Sequence, residues 1–263
     1  MPILSAFLVI TLLALALGFG LAVADKKLKI EKDPRLEELE SIMPGANCGG
    51  CGFAGCAAYA EAVYSKTAEP GHCAPGGAAL ARRMGEIMGV SVADVKEKVA
   101  YVHCNAHCED KVKAYDYQGI TDCNAASILF KGDNVCKYGC LGCLSCAAVC
   151  PEAAISKSSE GIVSVDPDKC IGCAKCIKAC PNGVISLIDK DSPYAIGCNS
   201  KDKGPSVTKA CSKGCIGCRI CEVKFPESGI KIVDNLPIFN PSEPHGQIAE
   251  AAAKCPKGVI LKR

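Results

Sequence analysis

Sixteen of the 22 cysteines fall into groups with the spacing of iron–sulfur ligands. The run Cys140-x2-Cys143-x2-Cys146-x3-Cys150-Pro151 recurs as Cys170-x2-Cys173-x2-Cys176-x3-Cys180-Pro181. A third group is Cys48-x2-Cys51-x4-Cys56-x16-Cys73, and a fourth is Cys215-x2-Cys218-x2-Cys221 with the remote Cys255-Pro256. Thiolates are soft donors that suit iron, and two intervening residues let one turn of backbone present several sulfurs and its own amide protons together. A zinc ribbon would use two CxxC pairs rather than paired four-cysteine runs, each ending in proline. The chemistry implied is one-electron transfer through several 4Fe-4S clusters.

The doubled run is the signature of a two-cluster bacterial ferredoxin, in which the fourth cysteine of each run ligates the other cluster. That rule assigns Cys140, Cys143, Cys146 and Cys180 to one cluster, and Cys150, Cys170, Cys173 and Cys176 to a second. The set Cys123-x12-Cys136-x3-Cys140-x2-Cys143-x2-Cys146 recurs as Cys198-x12-Cys211-x3-Cys215-x2-Cys218-x2-Cys221. The last third of the chain thus reads as a degenerate second module. Phe225-Pro226 stands where a fourth cysteine would precede proline, so this module keeps one cluster, on Cys215, Cys218, Cys221 and Cys255.

Cys104, Cys108, Cys123 and Cys136 could hold a further cluster in looser spacing. His103 and His107 leave open a mixed Cys/His zinc site, uncoordinated thiols, or histidines on a surface turn. A Rieske site does not fit, because its histidine follows its cysteine by two residues. Cys198 and Cys211 read as an orphan pair left by the repeat. Gly50-x-Gly52-x-x-Gly55 imitates a dinucleotide fingerprint, but no strand precedes it and a cysteine sits inside it.

The elements that must position these thiols read as α+β. Expected are an N-terminal transmembrane helix (1–25), a small α-rich four-cysteine 4Fe-4S domain (26–100), a two-cluster ferredoxin-like βαβ module with a preceding cysteine loop (101–192), and the degenerate single-cluster module (193–263). Asp33-Pro34 starts a helix, Gly55–Lys66 and Gly77–Met88 are helical patterns, and Val92–Val99 reads as a helix capped by Ser91. Ile162–Val165 and Val184–Leu187 read as the paired strands of a ferredoxin half. Residues Pro2 to Ala24 are uncharged and long enough to span a bilayer, with Lys26, Lys27, Lys29 and Lys32 following. By the positive-inside rule the bulk of the chain would face the cytoplasm of a bacterial inner membrane, attached by a single pass. Ala22-Val23-Ala24 resembles a signal-peptide cleavage site, but a basic n-region is missing.

Cysteines only two or three residues apart make poor disulfide partners, and thiols of this kind stay reduced in a cytosolic compartment. Charge is nearly balanced, +2 from 30 basic and 28 acidic residues, and no basic stripe suggests nucleic acid. Lys137, Lys157, Lys169, Lys175 and Lys178 surround the first ferredoxin module. They read equally as a docking patch for an acidic carrier and as lysines that keep the surface soluble.

The stretch Pro44–Cys56, the segment His72-Cys73-Ala74-Pro75-Gly76-Gly77, and Asp122-Cys123-Asn124-Ala125-Ala126 ahead of Cys136-Lys137-Tyr138-Gly139-Cys140-Leu141-Gly142 resemble the B subunit of the Rnf electron-transport complex. The resemblance covers nearly the whole chain; the C-terminal module and its Phe225 depart from the shorter family pattern. It implies a bacterial inner-membrane complex that oxidises reduced ferredoxin, reduces NAD+ and moves sodium ions or protons. Reduced ferredoxin and the other Rnf subunits would be the partners. This chain would then serve as part of a translocase, without substrate chemistry of its own. No Ser/His/Asp set, phosphate loop or paired-carboxylate motif stands out. A corrinoid iron–sulfur methyl carrier shares the first four-cysteine domain but needs a long barrel that this length cannot hold. A stand-alone polyferredoxin is opposed only by the anchor.

Overall fold

The computed structural model describes residues 2–28, 33–92, 96–239 and 246–263. Helix α1 (Pro2–Leu28) leaves Leu8, Leu15, Phe19 and Leu21 exposed. Among the described residues, however, no helix is long and apolar enough to cross a membrane. The expected transmembrane helix is therefore corrected, and with it the single-pass inner-membrane location that rested on it. Lys29 and Lys32 of the basic flank lie outside the described residues.

Three short helices build the first cysteine domain: α2 (Pro34–Ser41), α3 (Cys56–Tyr64) and α4 (Gly77–Met88). Asp33 caps α2, its carboxylate accepting the Arg35 N–H at 2.9 Å, and Pro34 takes the first helical position where its missing N–H costs nothing. Gly89, in the left-handed region at φ +66°, closes α4. Leu39, Tyr59, Val63, Leu80 and Met84 form the core, with Cys73 built into it. Tyr59 is wholly buried, yet its hydroxyl is satisfied three times. It donates to the Glu69 carbonyl at 2.9 Å and accepts the N–H groups of Gly71 and His72 at 3.1 Å each. One side chain therefore shapes the loop that carries Cys73.

The rest of the chain repeats one pattern twice. The first copy runs β1 (Lys98–Val102), α5 (Cys123–Ser127), α6 (Ser145–Ala148), β2 (Ile155–Lys157), β3 (Val163–Val165), α7 (Lys175–Ala179) and β4 (Ile185–Asp189). The second runs β5 (Tyr194–Ile196), α8 (Gly204–Ala210), α9 (Ile220–Val223), β6 (Ile230–Val233), β7 (Leu236–Phe239), α10 (Ile248–Ala253) and β8 (Ile260–Lys262). In each copy the outer strands pair antiparallel, β1 with β4 and β5 with β8, and the inner strands form a hairpin, β2 with β3 and β6 with β7.

Two expectations change here. The segments around β3 and β4 are strands but do not pair with each other. β3 joins Ile155–Lys157, which the sequence left unassigned, and β4 joins Lys98–Val102. The Val92–Val99 helix is also corrected. Residues 93–95 lie outside the described residues, and Lys98 and Val99 already belong to β1, where Val99, Ala100 and Val102 are buried. Pairing with β4 across five residues outweighs the helical pattern of the isolated stretch.

Cysteines are part of both cores. Cys146 and Cys176 pack with Val102, Ile155, Val163 and Val184 in the first module, and Cys198 with Ile196, Ile230, Val259 and Ile260 in the second. Phe225, at the place of the missing fourth cysteine, packs against this second core together with Phe239. Tyr59→Phe leaves two N–H groups and one carbonyl of the Cys73 loop without their partner. It should cost about 2 kcal/mol, measured as a lowered thermal midpoint of the iron-loaded protein.

Candidate functional site

The thiols gather around small, closed cavities with apolar walls. One is lined by Cys140, Cys146 and Cys180 with Leu144, Val163 and Val184, and Cys123 also reaches it. Cys143 stands beside Cys123. A second holds Cys150, Cys170, Cys173 and Cys176 against Ile155 and Val165. A third, in the second module, holds Cys215, Cys218, Cys221 and Cys255 against Ile232, Val259 and Ile260. In the N-terminal domain Cys48, Cys51 and Cys56 are the thiol neighbours of the buried Cys73. Cys56 is fixed there by Asn47, whose side-chain oxygen accepts the Cys56 N–H at 2.9 Å.

Three loops hold their cysteines with the same unusual backbone. Leu144, Ala174 and Arg219 each follow the second cysteine of a CxxCxxC run, and each adopts the left-handed conformation, at φ 64°, 60° and 60°. Side-chain-bearing residues rarely sit there, and strain of this sort marks sites the surrounding fold enforces. The glycine two residues earlier is likewise left-handed in all three, at Gly142, Gly172 and Gly217. A β-carbon on Gly172 would lie 2.5 Å from the Lys98 carbonyl oxygen, so this loop needs glycine to approach β1.

Backbone N–H groups already point at several sulfurs. Ala154 donates to Cys150, Ala100 to Cys170 and Val259 to Cys255, each at 3.4 Å. Burial pushes the Cys140, Cys176 and Cys215 thiols up to about 12, and Cys136 and Cys146 up to about 11. Such thiols remain neutral near pH 7 unless a metal takes up the sulfur charge. Among the described residues no three Cys, His, Asp or Glu side chains converge on a point where one ion could sit. A zinc ion with sulfur at about 2.3 Å would require that convergence. Sulfurs spread around a cavity with apolar walls and N–H donors fit a multi-iron cluster instead.

The looser cysteines separate. Cys104 and Cys136 line one further cavity, but they share it with Cys198 and Cys211. Cys108 is exposed beside Gly161, and Cys123 lies by Cys143 and Ser145. The histidines have structural partners. His103 places its ring nitrogens 2.7 Å from the Ile196 carbonyl and 2.7 Å from the Ser186 hydroxyl, and burial lowers its pKa. His107 faces Glu160 at 3.0 Å. Of the five lysines, Lys157 donates to the Gly142 carbonyl, Lys178 to the Gly49 carbonyl, and Lys169 pairs with Asp166. Lys175 borders the cavity of Cys150 and Cys170.

Comparisons with known proteins agree with this donor chemistry. An Fe-S cluster family model matches residues 43–75, and the 4Fe-4S dicluster domain matches residues 139–184. The protein thus carries 4Fe-4S clusters. The chain is 41% identical to the B subunit of the proton-translocating ferredoxin:NAD(+) oxidoreductase complex of Clostridium ljungdahlii, over 96% of this chain and 89% of that one. It is 37% identical to the B subunit of the ion-translocating oxidoreductase complex of Methanosarcina acetivorans, over 95% of each chain. It is 36% identical to the B subunit of the Na(+)-translocating ferredoxin:NAD(+) oxidoreductase complex of Acetobacterium woodii, over 94% of this chain and 74% of that one. With thiol-lined cavities in both ferredoxin modules and these relatives along nearly its full length, the chain belongs to the Rnf family of ion-translocating oxidoreductase complex B subunits.

Proposed function

We propose that this chain is the electron-transfer subunit of an ion-translocating ferredoxin:NAD+ oxidoreductase and takes electrons from reduced ferredoxin. In this reading four 4Fe-4S clusters are held by Cys48, Cys51, Cys56 and Cys73; by Cys150, Cys170, Cys173 and Cys176; by Cys140, Cys143, Cys146 and Cys180; and by Cys215, Cys218, Cys221 and Cys255. Each bound cluster supplies a one-electron couple. The protein's part is to gather thiolates, exclude water and aim N–H groups at the sulfurs, which sets the potential.

The observation that carries the reading is that successive thiol groups adjoin. Gly50, between Cys48 and Cys51, runs so close to the second group that a β-carbon on it would lie 3.1 Å from the Cys173 carbonyl oxygen. Cys176 of that group shares a packed core with Cys146 of the next. Neighbouring groups thus stand as a row from the N-terminal domain into the first ferredoxin module. The names of the relatives support ferredoxin as electron donor and the other complex subunits as assembly partners.

Three outcomes test this. Cys173→Ala and Cys221→Ala should each lower the iron and labile sulfide of the anaerobically reconstituted chain by about four atoms; unchanged iron in both variants would falsify the assignment. Mixed with reduced ferredoxin in a stopped-flow instrument, the oxidised protein should bleach, and Lys175→Glu should slow that step several-fold at low salt but little at high salt. A salt-independent rate, equal in the variant, removes the lysine from the docking face. Stripping iron with a chelator should abolish most of the far-UV circular dichroism of the two ferredoxin modules, because their cores close over cysteine.

A further inference from the structure

The cavity shared by Cys104, Cys136, Cys198 and Cys211 lies between the two ferredoxin modules and belongs to neither alone. Its four thiols come from matching places in the two copies. Cys104 is two residues beyond the end of β1, and Cys198 two beyond the end of β5. Cys136 stands four residues ahead of the run that begins at Cys140, and Cys211 four ahead of the run that begins at Cys215. Each module contributes the same pair, so the four sulfurs are related by the internal repeat.

The surroundings are those of the other thiol cavities. Cys198 and Cys211 are buried, and Tyr138, Val207 and Ala210 supply apolar wall. The Cys198 sulfur accepts two backbone N–H groups, from Cys215 at 3.3 Å and Ser200 at 3.4 Å. Cys136 has Cys104, Cys198 and Cys211 as its thiol neighbours around the cavity. All four are free thiols. His103 borders the cavity, but both its ring nitrogens have partners elsewhere, so the donors are sulfur only.

We propose that Cys104, Cys136, Cys198 and Cys211 bind a further 4Fe-4S cluster, assembled jointly by the two ferredoxin modules. This rests on the reading of the neighbouring cysteine groups as cluster ligands. It places the site in the gap between them: Cys104 neighbours Cys140 of the first module, and the Cys215 N–H of the second donates to the Cys198 sulfur. Without it, the Cys215 group has no thiol-lined neighbour on the side of the first module among the described cavities.

The test is iron and labile sulfide per full-length chain after anaerobic reconstitution, with zinc measured in the same samples. The intact protein should hold about twenty irons, and Cys198→Ala and Cys211→Ala should each hold about four fewer, whereas Cys108→Ala should keep them all. About sixteen irons in the intact chain overturns the proposal, whether or not any variant folds. So does undiminished iron in folded Cys198→Ala and Cys211→Ala, or loss of a zinc ion in place of iron. If Cys108→Ala and Cys123→Ala lose the irons instead, the cluster sits on the set 104, 108, 123 and 136 and the shared site is wrong. Cys221→Ala keeps the two readings apart. If it loses iron while Cys198→Ala does not, only the shared site falls; if it too loses none, the assignment of the four separate sites falls with it.

Discussion

Everything in this fold answers to the need to withdraw sulfur donors from water while keeping several within reach of one centre. A buried thiol far from a metal is a small apolar side chain, and the hydrophobic clusters of both ferredoxin modules treat Cys146, Cys176 and Cys198 as such. The same burial raises the thiol pKa, so the charge needed for ligation appears only when metal arrives. Folding and metal loading are thereby tied together. The thin complement of aromatic residues, 5% of the chain and no tryptophan, fits cores that are completed by something other than large side chains.

The backbone carries as much of this as the side chains. Three loops accept a left-handed residue that is leucine, alanine or arginine, with nothing in common but position. What recurs is the turn, which swings three sulfurs to one side. The arginine copy shows that the turn persists in the module that carries Phe225 ahead of proline, where the aromatic ring packs against the core cluster that includes Ile230 and Ile260.

The sequence is most legible where chemistry and local geometry coincide. Asp33-Pro34 and the Gly77–Met88 helix are readable from capping residues and periodicity, and the CxxCxxC runs from spacing alone. Legibility fails where a partner distant in the chain decides. Val92–Val99 has a helical pattern, yet its last residues, Lys98 and Val99, enter a strand because Ile185–Asp189 lies across from them. The composition of Pro2–Ala24 points to a helix that crosses a bilayer, whereas among the described residues no helix is long and apolar enough to do so. The looser cysteines group differently along the chain and in space, for an instructive reason. Matching intervals set Cys198 against Cys123, whereas their positions after β1 and β5 set it against Cys104. The segment carrying α5 lengthens the first copy and hides that equivalence from spacing.

The joint between the modules has the character of a bolted flange rather than a hinge. His103, held by Ser186 of its own module, reaches across to the Ile196 carbonyl with its other ring nitrogen, Asn105 donates its N–H to the Gly197 carbonyl at 3.0 Å, and Lys111 forms a bridge with Cys211. Electron exchange between redox centres falls off steeply with separation, so a loose joint would make conduction intermittent, open at one instant and closed at the next. The separation across the joint is thus fixed by contacts from three residues, His103, Asn105 and Lys111, so the distance an electron would have to cross there is built into the packing.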